Sequence, residues 1–165
     1  MILETPTCRT NTDWARRIGY RNEKLADANH PSIATMRDVL NAHEGGLPIV
    51  ICGFIGPRND EYVASEEMAP TDAHAYHKSR IGAFAEAIAN MVTALTMTNM
   101  NEALEIVSVA RDSDMPVAIS FLVETDGMFS MGHPSWEAIA TVDDATDRYA
   151  APLLDQLHPP DTFRK

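Results

Sequence analysis

The stretch PIVICGFIGP, residues Pro48–Pro57, decides the fold of this chain. Its apolar run is continuous, as in a strand that is covered on both faces, and it ends in a turn that contains glycine and proline. Three other segments also join an apolar run to a small-polar or glycine-containing turn and a helix-like stretch: Ile2–Thr5, Met91–Thr98 and Pro116–Asp126. Repetition of strand and helix predicts an α/β fold with a parallel sheet or barrel, in which ligands bind at the carboxyl ends of the strands.

Helix-like stretches follow these strands. The second of them runs from about Asn22 to His43, and Pro31 inside it predicts a kink or a division into two helices. Thr71 is predicted to cap the helix that follows the Pro48–Pro57 strand. Asn99 and Glu102 resemble a capping box at the start of the next helix.

The last third of the chain is less regular, and one loop is unusually long. The segment Gly56–Pro70 is a candidate functional loop because long loops are uncommon in compact domains. A helix is predicted to begin at Ser135 and to turn Trp136 toward the core. The helical pattern decays after Asp143, so residues 149–165 are predicted to form an irregular tail.

Size, charge and cysteine content limit the class of protein. With 165 residues, 45% hydrophobic and 22% charged, the chain is predicted to be one domain, residues 1–165. Its net charge of -11 argues against a nucleic-acid or anionic-membrane partner, since both need a basic surface. The two cysteines, Cys8 and Cys52, are expected to be reduced thiols. No signal-peptide pattern and no apolar run of the ~20 residues needed to span a bilayer is present, so the predicted location is cytoplasmic.

The number of strand–helix units predicts an incomplete barrel. Four units are half of a (β/α)8 barrel, which typically has about 250 residues. We therefore predict a partial TIM-type barrel of about four parallel strands with flanking helices. Its sheet would be open at Ile2–Thr5 and at Pro116–Val123. Because open parallel edges with apolar faces promote association, we expect the tail or a second copy of the chain, in a homo-oligomer, to cover them.

Glycines and carboxylates occur at the predicted strand ends. Gly53 and Gly56 either let a ligand or another backbone approach closely or only form a tight turn. Glu4, Glu124 and Asp126 either hold an amino group or act as acid or base, or they are solvated loop acids. These alternatives stay open on the residues alone.

Other sequence patterns indicate no further site. His74 and His77 lie at i, i+3 spacing and share one helix face, but no third metal ligand or H-E-x-x-H motif accompanies them, so both are predicted to be surface histidines. Ser120 lacks the G-x-S-x-G surroundings of a nucleophilic serine. No glycine-rich nucleotide loop is present.

A set of segments, spaced along about residues 2–148, carries a family resemblance. The most specific are GFIGP at Gly53–Pro57 and ISFLVETDG at Ile119–Gly127. The others are Leu3–Trp14, Arg58–Tyr62, Ala75–His77, Met91–Thr98 and Asp143–Asp147. In this order they resemble the homocysteine S-methyltransferase family.

The resemblance implies a (β/α)8 barrel and an activity. Family members transfer a methyl group from a sulfonium donor such as S-methylmethionine to the thiol of homocysteine, giving methionine, which implies a role in methionine biosynthesis. Zinc held by cysteine thiolates binds that thiol and lowers its pKa. This chain would supply the second to fifth strands, with the first strand before Met1 and the last three after the tail.

The resemblance also implies where zinc ligands would lie. The family's first zinc cysteine follows the sixth strand, where Gln156 or Leu157 stands here, and the paired cysteines of the eighth strand have no counterpart. Neither Cys8 nor Cys52 maps to a ligand position. No cofactor is therefore expected in this chain, unlike the zinc of the family, and its activity is expected to be impaired.

The predicted substrate site for homocysteine lies at the carboxyl ends of the strands. Acids would hold the substrate amino group, glycines would let the amino-acid portion approach the backbone, and hydroxyls would orient it. The strand-end glutamate that many members carry after their fourth strand is replaced by Leu95 or Thr96. The predicted substrate-binding residues are Glu4, Thr5, Gly53, Gly56, Thr96, Thr98, Ser120 and Glu124.

Two other functions stay open. The chain is either a non-catalytic remnant or assembly partner that keeps part of the fold, or a small doubly wound α/β protein of unrelated function. In the latter case Glu124 and Asp126 would form a metal-binding acidic pair.

Overall fold

The fold consists of alternating strands and helices, as the sequence predicts. The structure is a computed structural model, and it describes residues 1–21, 24–43, 45–46, 48–58, 68–124, 126–129 and 134–157. The strands are β1 (Ile2–Glu4), β2 (Val50–Ile55), β3 (Met91–Met97), β4 (Val117–Val123) and β5 (Ala151–Leu157). The helices are α1 (Thr12–Arg17), α2 (Leu25–Ala42), α3 (Pro70–Glu86), α4 (Met100–Asp112) and α5 (Ser135–Thr146).

The strands form one parallel sheet in the order β1-β2-β3-β4-β5. Right-handed crossovers that always advance in one direction place their helices on one face of a sheet. The buried core agrees, because α2, α3, α4 and α5 all contribute to one cluster with the same face of the sheet. A doubly wound sheet would carry helices on both faces. The predicted fold class, a partial TIM-type barrel of parallel strands with flanking helices, is confirmed.

The sheet has one strand more than the four that the sequence predicts. β5 lies in the segment 149–165 that was expected to be irregular, and it pairs in parallel with β4. Pro152 suggested a break, but proline is tolerated in edge strands and at irregular register. The β4–β5 register shifts opposite Ala118–Ser120, where Pro152 lies. Residues 158–165 lie outside the described residues.

The extra strand changes one predicted edge. In the described part of the chain, β1 and β5 are the edge strands, and the expected edge at Pro116–Val123 is wrong because β5 covers β4. The expected edge at Ile2–Thr5 is present: β1 pairs only with β2. Coverage of the edges by a second copy of the chain stays a prediction.

Proline lies inside α2 and at the start of α3. The kink predicted at Pro31 stays a prediction, whereas the alternative of two separate helices is wrong. α2 is one helix that continues through Pro31, not two. The Ser32 hydroxyl donates to the Ala28 carbonyl, 2.9 Å away, within this turn. α3 begins at Pro70 rather than after a Thr71 cap. Proline suits the first helical position, where its missing N–H would have had no partner in any case.

Other sequence expectations have mixed outcomes. Asn99 caps α4, since its Oδ1 accepts from the Glu102 N–H at 3.1 Å. The start of α5 at Ser135 is confirmed, but Trp136 is 69% exposed and does not face the core. Residues 59–67 of the predicted functional loop Gly56–Pro70 lie outside the described residues. No helix in the described ranges is long and apolar enough to cross a bilayer.

The two faces of the sheet follow from strand alternation. Gly53 faces the helices, because a Cβ built on it would lie 2.5 Å from the ring of Phe84 in α3. Its neighbours Cys52 and Phe54 therefore point to the opposite face. We call this opposite side the inner face. Register and alternation place on it Glu4, Cys52, Phe54, Thr93, Leu95, Ala118, Ser120 and Leu122.

Candidate functional site

A short polar chain crosses the inner face between β1, β3 and β2. The Thr93 hydroxyl donates to Glu4 Oε1 at 3.0 Å, and the Cys52 thiol donates to Thr93 Oγ1 at 3.3 Å. Glu4 is exposed, whereas Cys52 and Thr93 are buried. The arrangement presents one oriented carboxylate on an otherwise mainly apolar face. Sequence reasoning found Glu4 but missed Thr93, although its polar position in an apolar strand was a usable signal.

Cys52 is a thiol rather than a thiolate. Burial, against the lowering effect of the Thr93 hydrogen bond and with a smaller contribution from the nearby Glu4 carboxylate, raises its pKa to about 11. A protonated thiol is neither a good nucleophile nor a good metal ligand. Cys52 therefore serves as a hydrogen-bond donor to Thr93.

Two of the predicted site residues, Thr5 and Gly56, join the segment after β1 to β2, and a third, Gly53, packs against a helix. The Thr5 hydroxyl accepts from the Phe54 N–H at 3.0 Å and lies 2.7 Å from the Thr7 hydroxyl. Gly53 lies against Phe84 on the helix side, which accounts for glycine there. The Gly56 N–H donates to the carbonyl of Cys8 at 3.3 Å. Roles for these three residues in substrate binding stay predictions.

The other predicted site residues lie near the carboxyl end of β3, in the middle of β4, or just after these strands. Thr96 is partly buried and has a left-handed backbone, with φ of 58°. Thr98 is 8% exposed, and Ser120 is fully buried on the inner face. Glu124 is exposed just after β4, and its N–H donates to the Met128 carbonyl at 2.8 Å. The structure thus groups Glu4 and Ser120 on the inner face and puts Thr96, Thr98 and Glu124 at the strand ends.

A buried histidine–glutamate pair lies beside these strand ends and was missed. His77 Nε2 is 2.8 Å from Glu102 Oε1, and both side chains are almost completely buried. The same Glu102 oxygen accepts from the Arg58 N–H at 2.8 Å. The prediction of His77 as a surface histidine is wrong, whereas His74 is partly exposed and pairs with Glu105 at 3.1 Å. Glu102 and Glu105 in the next helix have the same i, i+3 spacing as the two histidines, and this match was the sequence signal for the pairing.

The buried pair fixes the turn that follows β2. Besides its N–H bond to Glu102, Arg58 donates from Nε to Asp13 Oδ2 at 2.8 Å. Its guanidinium also stacks on the ring of Tyr76, 4.9 Å from the ring centroid. Helices α1, α3 and α4 therefore all hold Arg58, at the carboxyl end of β2, in place.

Arg80 of α3 makes hydrogen bonds to the backbone of the segment that follows β1. Its Nη2 donates to the Cys8 carbonyl at 2.8 Å, the Phe54 carbonyl at 3.0 Å and the Thr7 carbonyl. Burial lowers its pKa to about 10, so the guanidinium remains charged at neutral pH. A buried cation that bonds three carbonyls ties the Thr7–Cys8 backbone to β2.

Burial of His77 makes the stability of the fold depend on pH. Burial lowers the pKa of His77 from 6.5, although the Glu102 hydrogen bond acts in the opposite direction. Folded His77 thus stays neutral where the unfolded chain is protonated, so the free energy of unfolding falls as the pH drops below about 6.5. We expect the urea midpoint of the wild type to decrease from about pH 7 to about pH 5, and to decrease less in His77→Gln. Equal pH slopes in the two proteins would contradict a neutral, buried His77.

The described residues do not form a site that fits the zinc of the resembled family. Within the ranges that the structure describes, no group of three or more His, Cys, Asp or Glu side chains is arranged to hold a metal ion. Cys52 is protonated and hydrogen-bonded to Thr93. The acidic pair proposed as an alternative, Glu124 with Asp126, belongs to a turn in which Asp126 Oδ1 accepts from the Met128 N–H at 3.0 Å.

The fold is similar to that of a homocysteine methyltransferase of known structure. The metallated form of MmuM from Escherichia coli matches with a TM-score of 0.80 and 16% identity, over 93% of this chain and 57% of that chain. Its oxidized form matches with a TM-score of 0.80 and 16% identity, over 93% and 56%. Its apo form gives 0.64 and 17%, over 93% and 55%. This chain therefore spans a little over half the length of that methyltransferase.

The sequence comparison assigns the family. No curated protein matches the chain significantly. A model of the homocysteine S-methyltransferase family matches residues 1–159, which is nearly the whole chain. The match agrees with the resemblance of GFIGP and ISFLVETDG and with the partial barrel in the structure. The chain belongs to the homocysteine S-methyltransferase family.

Proposed function

We propose that this chain binds homocysteine on its inner face, at the carboxyl ends of its strands. The complete reaction would be methyl transfer from a sulfonium donor such as S-methylmethionine to the homocysteine thiol, giving methionine. The family match over residues 1–159 carries this proposal. The oriented Glu4 carboxylate supports it, since an acidic group on this face suits the ammonium group of an amino acid.

The chain's own residues account for substrate binding rather than for thiol activation. Glu4 would accept hydrogen bonds from the substrate ammonium while the Thr93 hydroxyl fixes the carboxylate's orientation. In the reaction, the homocysteine sulfur bonds the donor's methyl carbon, the sulfonium C–S bond breaks, and the thiol proton leaves. The described residues provide no thiolate ligands that would generate the homocysteine thiolate. We therefore propose that catalysis by this chain alone is impaired.

Calorimetry with L-homocysteine tests the binding proposal. We expect saturable, stereoselective binding to the wild type and at least roughly tenfold weaker binding to Glu4→Gln, because a hydrogen bond between charged groups is lost. Glu86→Gln is the matched control, since its side chain is 74% exposed on the far helix α3. Binding that is absent in the wild type, or equal in Glu4→Gln and Glu86→Gln, would refute the assignment.

The alternative is a non-catalytic remnant or assembly partner of the same fold. The protonated Cys52 and the lack of a metal-binding cluster among the described residues favour it over an active enzyme. Elemental analysis of the purified, dialysed protein separates the two. We expect far less than one zinc per chain, whereas stoichiometric zinc would show that the family's metal site is intact.

A further inference from the structure

An irregularity of β3 lies directly opposite a serine of β4. Ala94 pairs with Ile119 and Met97 pairs with Phe121, so Leu95 and Thr96 together oppose Ser120. One strand thus has two residues where its partner has one, which is a β-bulge. Such bulges leave the extra residue outside the hydrogen-bond ladder and are frequent next to active sites.

The bulge is backbone-strained. Thr96 has φ of 58°, in the left-handed region that β-branched residues strongly disfavour. Its hydroxyl donates to the carbonyl of the adjacent Leu95 at 2.6 Å. Strain of this kind persists only where the surrounding structure imposes it, and it concentrates at ligand sites.

The serine opposite the bulge, Ser120, is a second feature that is unfavourable for stability. Ser120 is 0% exposed, yet among the residues that the structure describes its hydroxyl has no hydrogen-bond partner. Buried hydroxyl groups are almost always bonded, and one that is not destabilises the fold. Two independent departures from stability therefore coincide where the bulge of β3 faces the middle of β4.

Ser120 lies near the residue that orients the Glu4 carboxylate on the inner face. Thr93, which holds the Glu4 carboxylate, pairs with Ala118, two residues before Ser120 on the same face. Thr93 and Ser120 are thus diagonal neighbours on adjacent parallel strands, about 8 Å apart from a strand spacing of about 4.8 Å and a rise of about 3.3 Å per residue. An ammonium and a carboxylate on one carbon, each making a hydrogen bond, fit between two such positions.

We propose that Ser120 and the Leu95–Thr96 bulge bind the α-carboxylate of the amino-acid substrate, while Glu4 holds its ammonium group. The Ser120 hydroxyl donates one hydrogen bond to the carboxylate, and the backbone of the bulge, freed from the ladder, supplies the other. Burial shields these bonds from water and strengthens them. This inference rests on the proposed homocysteine site and assigns one part of it.

Two variants that remove these unfavourable features test the proposal. Ser120→Ala removes the unpartnered hydroxyl and should raise the melting temperature by roughly 2–4 °C or more. Thr96→Gly relieves the left-handed strain and should not lower it. Ser120→Ala should weaken L-homocysteine binding about tenfold or more, since a hydrogen bond to a charged group is lost, whereas Thr96→Gly keeps the backbone N–H of the bulge and should change the affinity by less than about threefold. Thr146→Val, which removes a buried hydroxyl that is bonded to Val142, is the control that should lower stability and leave affinity unchanged.

A second ligand separates carboxylate binding from a general effect on the site. The probe 3-aminopropanethiol has the thiol and amine of homocysteine but no carboxylate. We expect its affinity to be the same in the wild type, Ser120→Ala and Thr96→Gly. Equal losses for both ligands in Ser120→Ala, or homocysteine affinity within twofold of wild type in that variant, would overturn the proposal while leaving the homocysteine site in place. A wild type that binds neither ligand would overturn the proposed function itself.

Discussion

Replacing Gly53 with alanine is expected to lower the free energy of unfolding by about 1–3 kcal/mol, because the new methyl group overpacks the core. A Cβ at this position would lie 2.5 Å from Phe84 Cδ2 and Cγ. Phe84 is fully buried in the main hydrophobic cluster, so its ring has no free space to enter. Phe84→Ala alone should cost about 3–5 kcal/mol through the cavity that it leaves.

The two changes should offset each other. In the double variant the alanine methyl group enters the space that the ring has left, so the combined loss should be smaller than the sum of the two single losses. Gly82→Ala is the control, since Gly82 lies in the same helix as Phe84 and nothing surrounds its Cβ position. It should raise stability by about 0.5–1 kcal/mol. Additive losses in urea unfolding would show that Gly53 and Phe84 do not press on each other.

Removal of the Glu102 carboxylate is expected to cost about 2–6 kcal/mol, because it leaves two buried donors without a hydrogen bond, each at about 1–3 kcal/mol. In Glu102→Ala, His77 Nε2 and the Arg58 N–H both lose the oxygen that accepts from them at 2.8 Å. Since the side chain is 3% exposed, water does not replace it easily. The turn after β2 should also loosen, which hydrogen exchange of the Arg58 amide would detect.

The neighbouring pair provides a matched control for this prediction. Glu105 of α4 contacts His74 of α3 at 3.1 Å, so this pair joins the same two helices as His77 and Glu102. Unlike that pair, both of its side chains are partly exposed. Glu105→Ala should therefore cost less than about 1 kcal/mol. Similar losses in the two alanine variants would mean that burial of the His77–Glu102 pair does not govern its contribution.

Much of the fold could be predicted because apolar runs and turn residues mark each parallel strand. The runs at Pro48–Pro57 and Met91–Thr98 became β2 and β3. β5 was missed because Pro152 suggested a break, whereas the edge position and the irregular register accommodate it. Local propensity cannot show which edge a strand will occupy, since that depends on pairing in three dimensions.

The candidate site was less predictable because its organisation depends on register. The sequence placed Glu4 and Ser120 at strand ends, but only the pairing of strands shows that Thr93 orients Glu4. His77 shares a helix face with His74, and the packing of α4 decides which of the two is buried. Gly53 was predicted to lie in the substrate site, but its close contact with Phe84 explains the need for glycine without any ligand.

The most direct test of the account is an NMR titration of the ¹⁵N-labelled chain with L-homocysteine. The account predicts saturable shifts at the amides of Glu4, Thr93, Thr96 and Ser120, which share the inner face and its strand ends. Amides on the outer surface of α3 should not move. Shifts confined to the helices, or no shifts at all, would contradict a homocysteine site on the inner face of this partial barrel.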